Sequence, residues 1–80
     1  MITILIKAGG LLTGYLKPDA DAHTRRVEAR DGETLRQILE SIAVPPGHVA
    51  AASANGSLVA LDYVPDDGDV ITLVPPVQGG

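Results

Sequence analysis

The sequence has no cysteine, tryptophan or phenylalanine, and its only aromatic residues are Tyr15 and Tyr63. Without cysteine, neither a disulfide nor a thiolate metal site can reinforce the fold. Isoleucine, leucine and valine must therefore fill the core of one domain, because 80 residues allow no more. Apolar residues make up 45% of the chain, which is too many for a disordered protein.

Long apolar runs are also missing from the sequence. No run approaches the roughly 20 residues that a membrane-spanning helix needs. The apolar start, residues 1–7, has no positively charged stretch before it and is typical of a strand rather than of a signal peptide. With no export signal and no cysteine to oxidise, we expect a cytoplasmic protein that has no membrane partner.

Positive charge is absent from the second half of the chain. All six lysines and arginines lie in the first 36 positions, and the net charge is −4. This distribution lacks the basic stripe that nucleic-acid binding requires. The later acidic residues have two readings: solvated turn-formers, or a face that steers the chain's end towards basic partner surfaces. They are Glu40, Asp62, Asp66, Asp67 and Asp69.

The clearest secondary-structure signal is a helix that begins after the Asp31-Gly32 turn. Thr34 and Gln37 have the spacing of a capping box, in which each side chain accepts a hydrogen bond from the other residue's backbone N–H. The next apolar residues recur at i, i+3, i+4 and i+7, which indicates a helix that buries one face. They are Leu35, Ile38, Leu39 and Ile42. Pro45-Pro46-Gly47 should stop this helix.

Strand patterns surround this helix on both sides. We predict strands at residues 2–7 and 23–30 before it, and at residues 49–54, 57–61 and 70–74 after it. Asn55-Gly56 is a strong type I′ hairpin signal, and residues 8–22 should form a loop with a short turn near residues 11–16.

This order predicts an α+β fold. A mixed sheet of four to five strands would pack on one main helix, with the apolar first and last strands parallel at its centre. That is the β-grasp arrangement. We assign residues 1–74 to this domain and residues 75–80 to an extended, flexible C-terminal tail.

The last predicted strand is apolar on both sides, so part of it should lie on the sheet face that the helix leaves open. Leu5, Ile71 and Leu73 are the candidate residues for a partner-binding patch on that face. The alternative is that loops of the same chain cover these side chains.

The sequence contains no catalytic constellation. His23 and His48 are isolated, and the serines lack the flanking pattern of an activated nucleophile. Neither histidine has a second ligand at helical or hairpin spacing, so we expect no metal site and no bound cofactor. The aspartates around Gly68 do not have calcium-loop spacing. We therefore expect a protein that is not itself an enzyme.

The end of the sequence is its most informative part. Pro75-Pro76-Val77-Gln78 leads from the last strand to Gly79-Gly80. The second half resembles the small subunit of molybdopterin synthase, and also the thiazole-pathway sulfur carrier, a sister family among the ubiquitin-like β-grasp proteins. The motifs that carry the resemblance are Asn55-Gly56, Asp62-Tyr63, Gly68-Asp69, Pro75-Pro76 and Gly79-Gly80; the diproline favours the molybdopterin branch.

The resemblance implies a carrier whose chemistry takes place at Gly80. A ubiquitin-activating-like enzyme would use ATP to join the Gly80 carboxylate to AMP. Sulfur from a cysteine desulfurase or similar donor would then displace AMP and leave a thiocarboxylate. The large synthase subunit would receive this group and transfer its sulfur to a pterin precursor of the molybdenum or tungsten cofactor.

The tail residues suit that role physically. Gly79 and Gly80 have no Cβ, so they can pass through a narrow channel. Pro75 and Pro76 keep the start of the tail extended and lower the entropy lost on binding. Together with Val77 and Gln78 they would form the segment that a partner holds.

Other uses of the same tail stay open at this point. The sulfur acceptor could instead be thiamine thiazole, another sulfur-containing metabolite or tRNA. A ubiquitin-like modifier would be joined through Gly80 to lysines of target proteins, whereas in a passive β-grasp module the tail would have no role.

Overall fold

The computed structural model describes residues 1–76 of the chain. The predicted tail residues Val77, Gln78, Gly79 and Gly80 lie outside the described residues. In chain order the elements are β1 (Ile2–Ala8), α1 (Leu12–Leu16), β2 (Thr24–Ala29), α2 (Leu35–Ser41), a 3₁₀ turn (Pro46–His48), β3 (Ala51–Ala54), β4 (Ser57–Val59) and β5 (Val70–Val74).

The five strands form one mixed sheet in the order β2-β1-β5-β3-β4. Its centre is the parallel pair of β1 and β5, in which Leu5 lies opposite Val70 and Ala8 opposite Leu73. The other neighbours are antiparallel. The predicted β-grasp fold, with parallel first and last strands at its centre, is confirmed.

One face of this sheet packs on the two helices and holds the core. Alternate residues of β1 and β5 meet the apolar stripe of α2 and two leucines of α1. The fully buried side chains at this interface are Ile4, Ile6, Leu12, Leu16, Leu35, Ile38, Leu39, Ile71 and Leu73. The short helix α1, predicted only as a turn, exists because Leu12 and Leu16 lie one turn apart and both enter the core.

The start of α2 follows the sequence prediction, but its end does not. Gln37 N–H donates to Thr34 Oγ1 at 3.2 Å and Thr34 N–H donates to Gln37 Oε1 at 2.9 Å, so the capping box is confirmed. The helix ends at Ser41, ahead of the prolines, because Ala43 adopts a left-handed conformation with φ 62°. Val44 N–H then donates to the Leu39 carbonyl at 2.9 Å, as in a Schellman-type helix end.

Three strands are shorter than predicted, of which β2 is shorter by one residue at each end. β3 begins at Ala51 because the 3₁₀ turn extends to His48. β4 ends at Val59 because the chain then turns back towards α2, where the Leu61 carbonyl accepts a hydrogen bond from Arg36 N–H at 3.0 Å. The hairpin between β3 and β4 has the expected turn, since Asn55 and Gly56 both have positive φ.

Candidate functional site: the origin of the tail and the open sheet face

The tail begins at the end of the central strand β5. The Val74 carbonyl accepts a hydrogen bond from Ala50 N–H at 2.8 Å, which holds the last residue of the strand. Pro75 then packs beside the turn after β1, where a Cβ added at Gly10 would lie 3.5 Å from Pro75 Cγ. The domain thus fixes the position from which the tail leaves and its initial direction.

The opposite end of β5 is fixed by a buried carboxylate. Asp69 is only 7% exposed and accepts three hydrogen bonds. Its Oδ1 accepts from Asn55 Nδ2 at 2.9 Å, and its Oδ2 accepts from the Tyr63 hydroxyl and from Asp66 N–H. Asn55 Oδ1 in turn accepts from Val70 N–H at 2.9 Å. This Asp69 network joins the hairpin turn, the loop before β5 and the first residue of β5.

The network also sets the ionisation of its members. The Tyr63 hydroxyl, followed by Asp66 N–H, stabilises the charged carboxylate and holds the pKa of Asp69 below its usual value. The same hydrogen bond, helped by partial burial, raises the pKa of Tyr63 to about 12. At neutral pH the pair is therefore an anion that accepts from a neutral phenol, which is a strong hydrogen bond.

The aspartates before β5 act within the fold. Asp69 belongs to the buried network, Asp67 Oδ1 accepts from Thr3 N–H at 2.8 Å, and Asp62 pairs with Arg36. Asp67 and Asp69 lie at the start of β5, so its five residues, about 13 Å of strand, separate these two from the origin of the tail. The reading of these aspartates as turn-formers fits this geometry, whereas a role in steering the tail finds no support in it.

The predicted partner face is wrong at two of its three residues. Ile71 is fully buried and Leu73 is 2% exposed, because both point into the core beneath the helices. Leu5 does lie on the other face, where it is partly exposed. Successive strand residues point to opposite sides, so the residues of β5 that share the face of Leu5 are Val70, Thr72 and Val74.

The open face can now be defined by its apolar residues Leu5, Val70, Val74 and Leu58. Val74 is 46% exposed at the origin of the tail, and Leu58 is 79% exposed on the edge strand β4. Thr72 could have predicted which face of β5 is open. It is a polar residue between the valines at i±2, and a polar residue within one alternating set indicates that this set faces solvent. Leu58 could not be placed by pattern, because β4 has only three residues.

A further exposed group lies at α1. Leu11 immediately precedes α1 and Tyr15 lies within it, and both have much of their side chains in solvent. The Tyr15 ring packs at 5.5 Å, centroid to centroid, from the ring of His48 in the 3₁₀ turn. The sequence did not predict this contact, because it joins α1 to the 3₁₀ turn, more than 30 positions further along the chain.

Within residues 1–76, no three histidine, aspartate or glutamate side chains come close enough to hold a metal ion. His48 stacks on Tyr15, while His23 lies in the loop before β2, where its N–H donates to Asp21 Oδ1. No helix in this part of the chain has the length and apolar character that crossing a bilayer requires. The candidate functional features among the described residues are therefore the open face and the fixed origin of the tail.

Comparison with solved structures identifies proteins of the same architecture. Small archaeal modifier protein 1 of Haloferax volcanii has a TM-score of 0.74 at 20% identity, over 96% of this chain and 100% of that one. A Pyrococcus furiosus protein described as subunit 1 of a molybdopterin converting factor has a TM-score of 0.71 at 19% identity, over 96% and 100%. Both likenesses concern the fold.

A third structure is closer in sequence. It is the complex of subunits 1 and 2 of the molybdopterin-converting factor from Helicobacter pylori, with a TM-score of 0.60 and 29% identity over 99% of this chain and 100% of that one. A search of curated proteins finds no match.

The family comparison covers most of the chain. The model of the ThiS family matches residues 13–80, a stretch that includes the Asp69 network, the whole of β5 and the tail. The chain belongs to the ThiS family and is a ubiquitin-like sulfur carrier or modifier with a β-grasp fold.

Proposed function

We propose that the chain is a cytoplasmic sulfur carrier for molybdopterin synthesis, and that its reactive group is the carboxylate of Gly80. The observation that carries this proposal is the anchoring of β5, which is hydrogen-bonded on both sides and continues directly into Pro75-Pro76. A rigid strand followed by two prolines sets the direction in which the tail leaves the domain. The family match, which extends to residue 80, supports a role for the tail that follows.

The proposed chemistry has two steps, both catalysed by partners. A carboxylate is a poor electrophile, so an adenylating enzyme first joins the Gly80 carboxylate to AMP and releases pyrophosphate from ATP. A sulfide or persulfide sulfur from a cysteine desulfurase or similar donor then attacks the Gly80 carbonyl carbon, and AMP leaves. Attack by sulfide gives the thiocarboxylate directly. Attack by a persulfide gives an acyl disulfide, whose S–S bond a partner thiol then breaks by forming a disulfide with the donor cysteine, so that the thiocarboxylate is released. The chain itself holds no cofactor and supplies the acyl group, while Gly79 leaves room for the tail in a narrow channel.

The similarity to the Helicobacter pylori complex supports a molybdopterin synthase large subunit as the acceptor of the tail. We expect that subunit to hold Val77 and Gln78 and to contact the open face through Val74 and Leu58. These two residues are exposed and lie on the side of the sheet away from the helices. They replace Ile71 and Leu73 as the partner-binding residues.

Intact mass tests the proposal directly. The 80-residue chain is incubated with ATP, a sulfur source and the adenylating enzyme, and replacement of one oxygen by sulfur is the expected product. Deletion of Gly80, or Gly80→Ala, should reduce or abolish this product without changing the unfolding midpoint. Gly47→Ala is the matched control, because Gly47 is exposed and a Cβ there meets nothing within 4 Å. An unmodified wild-type chain, or full conversion of the chain that lacks Gly80, would contradict the proposal.

The family match favours a second candidate, a sulfur carrier for thiamine thiazole. The two functions share the tail chemistry and differ in the acceptor. Capture of the thiocarboxylate chain by a molybdopterin synthase large subunit supports the first, and capture by a thiazole synthase supports the second. A protein modifier would instead give isopeptide-linked conjugates with target lysines in cell extracts.

A further inference from the structure

The two edge strands of the sheet, β2 and β4, differ in whether their outward backbone groups are hydrogen-bonded or protected by charge. In the antiparallel pair of β1 and β2, Ala8 N–H donates to the His23 carbonyl at 2.9 Å. Because hydrogen-bonded and non-bonded pairs alternate, the backbone N–H and C=O groups of Thr24, Arg26 and Glu28 point outward from β2.

The outward groups of β2 are largely occupied or protected. The Thr24 carbonyl accepts from the backbone N–H groups of residues 19–21 at 2.9–3.4 Å, and Arg26 N–H donates to Asp19 Oδ1 at 3.0 Å. Further along the strand, Glu28 adds a charge. Such contacts and charges prevent another strand from pairing with this edge.

The edge strand β4 has no comparable protection. In a hairpin with a two-residue turn, the flanking residues Ala54 and Ser57 form a hydrogen-bonded pair, so the N–H and C=O of Leu58 point away from β3. No residue within 1–76 donates to or accepts from these two groups. The Leu58 side chain is 79% exposed, and none of the three residues of β4 is charged.

We propose that β4 is a strand-addition site for the protein that receives the tail, and that this partner adds an extended, uncharged segment beside Leu58. The inference builds on the proposed carrier function and specifies how the partner is held. An unpaired N–H and C=O on one strand residue fit another extended strand, because only such a backbone presents both complementary groups at the required spacing.

A second copy of this chain is a poorer occupant for the site. β4 has three residues and offers the hydrogen bonds of one outward residue, whereas a stable protein interface buries at least about 1,200 Å² in total. The added strand therefore needs a partner that is anchored elsewhere as well.

The open face provides the continuity for such an interface. Leu58 lies opposite Ser53, and Ser53 lies opposite Thr72, so these side chains form one row across the open face. Val74, at the origin of the tail, is on the same face. A partner that holds the tail and covers Val74 can therefore extend to β4 across this row of uncharged side chains.

Leu58→Pro tests the backbone contact. Proline removes the outward N–H of residue 58 but leaves the β3–β4 hydrogen bonds in place, because edge strands tolerate proline on their free side. Leu58→Val is the side-chain control, since it keeps both the N–H and an apolar side chain. Glu28→Pro is the edge control, because it removes an outward N–H from the β2 edge.

The assay measures the dissociation constant of each variant for the molybdopterin synthase large subunit, together with amide exchange at Leu58 in the wild-type complex. We expect Leu58→Pro to bind about tenfold more weakly than Leu58→Val, because these two variants differ in the outward N–H, and Glu28→Pro to stay near wild type. The Leu58 amide should become protected on binding, a readout that does not depend on the folding of any variant.

Three outcomes would overturn the proposal. In the first, the chain is thiolated normally, amide exchange at Leu58 does not change on binding, and Leu58→Pro binds as tightly as the wild type. This result would disprove the strand-addition site but not the carrier function. Absence of both binding and thiolation in the wild-type chain would remove both. Concentration-dependent self-association that Leu58→Pro abolishes would assign the edge to a second copy and overturn the proposed occupant.

Discussion

Replacing Asp69 by asparagine tests whether the buried network holds the start of β5. The substitution preserves size but exchanges one carboxylate oxygen for an NH₂ group. Oδ2 accepts from the Tyr63 hydroxyl and Asp66 N–H, while Oδ1 accepts from the Asn55 amide. The Asn55 amide cannot flip at no cost, because its oxygen accepts from Val70 N–H. Either orientation of an asparagine at position 69 therefore leaves one donor facing another.

The structure gives the size of the expected effect. An unsatisfied buried donor costs about 1–3 kcal/mol, and the remaining hydrogen bonds lose the contribution of the charge. We expect Asp69→Asn to lower the free energy of unfolding by about 3 kcal/mol. That is a large share of the roughly 4–12 kcal/mol expected for a domain of this length.

Urea unfolding measures this difference. With a denaturant slope near the lower end for small proteins, the midpoint should fall by roughly 2–3 M. Asp66→Asn is the matched control, because the same chemical change is made three residues away on an exposed side chain. It should stay within about 0.5 kcal/mol of wild type. If Asp69→Asn is no more destabilising than this control, the account of the network is wrong.

Three other changes test separate parts of the fold. Thr34→Ala removes the hydroxyl that accepts from Gln37 N–H and should cost about 1 kcal/mol in urea unfolding; an unchanged midpoint would contradict the capping box. Ala43→Gly relieves the left-handed conformation at φ 62° and should add roughly 0.5–1 kcal/mol by the same assay, whereas destabilisation would count against that strain. The pKa of Tyr63 is raised to about 12 in the folded protein, whereas it is near 10 in the unfolded chain. The hydrogen bond from Tyr63 therefore contributes fully to the free energy of unfolding below about pH 10, and this contribution is lost as the pH rises towards 12. The stability gap between wild type and Tyr63→Phe should therefore shrink across that range, and a constant gap would refute the hydrogen bond to Asp69.

The sequence was sufficient for features that are determined locally. The spacing of Thr34 and Gln37 predicted the capping box, and Asn55-Gly56 predicted the hairpin turn. Each depends on atoms a few residues apart, so no knowledge of the rest of the fold is needed. The parallel central pair could also be inferred, because β1 and β5 are the most apolar strands.

The sequence was insufficient where distant segments meet. Alternation in β5 divides its residues into two sets but does not say which set faces the helices. That choice is made by the register that places Ile6 beside Ile71, residues 65 positions apart. The error at Ile71 and Leu73 came from this gap, although the threonine between two valines was a usable signal. The end of α2 was misjudged for a related reason, because alanine rarely adopts the left-handed conformation found at Ala43.

The motifs that carried the family resemblance separate into two groups by their position in the fold. Asn55, Tyr63 and Asp69 come from three of those motifs and meet in one network at the start of β5. Pro75-Pro76 follows the other end of the strand, about 13 Å away. In the proposed function the first group keeps the strand in place and the second presents the tail to its partners. A destabilised but folded Asp69→Asn variant should therefore still be thiolated at the wild-type rate, whereas loss of Gly80 should stop thiolation without affecting stability. If instead thiolation falls in proportion to the weakening of the network, the two ends of β5 are coupled and this division of roles is wrong.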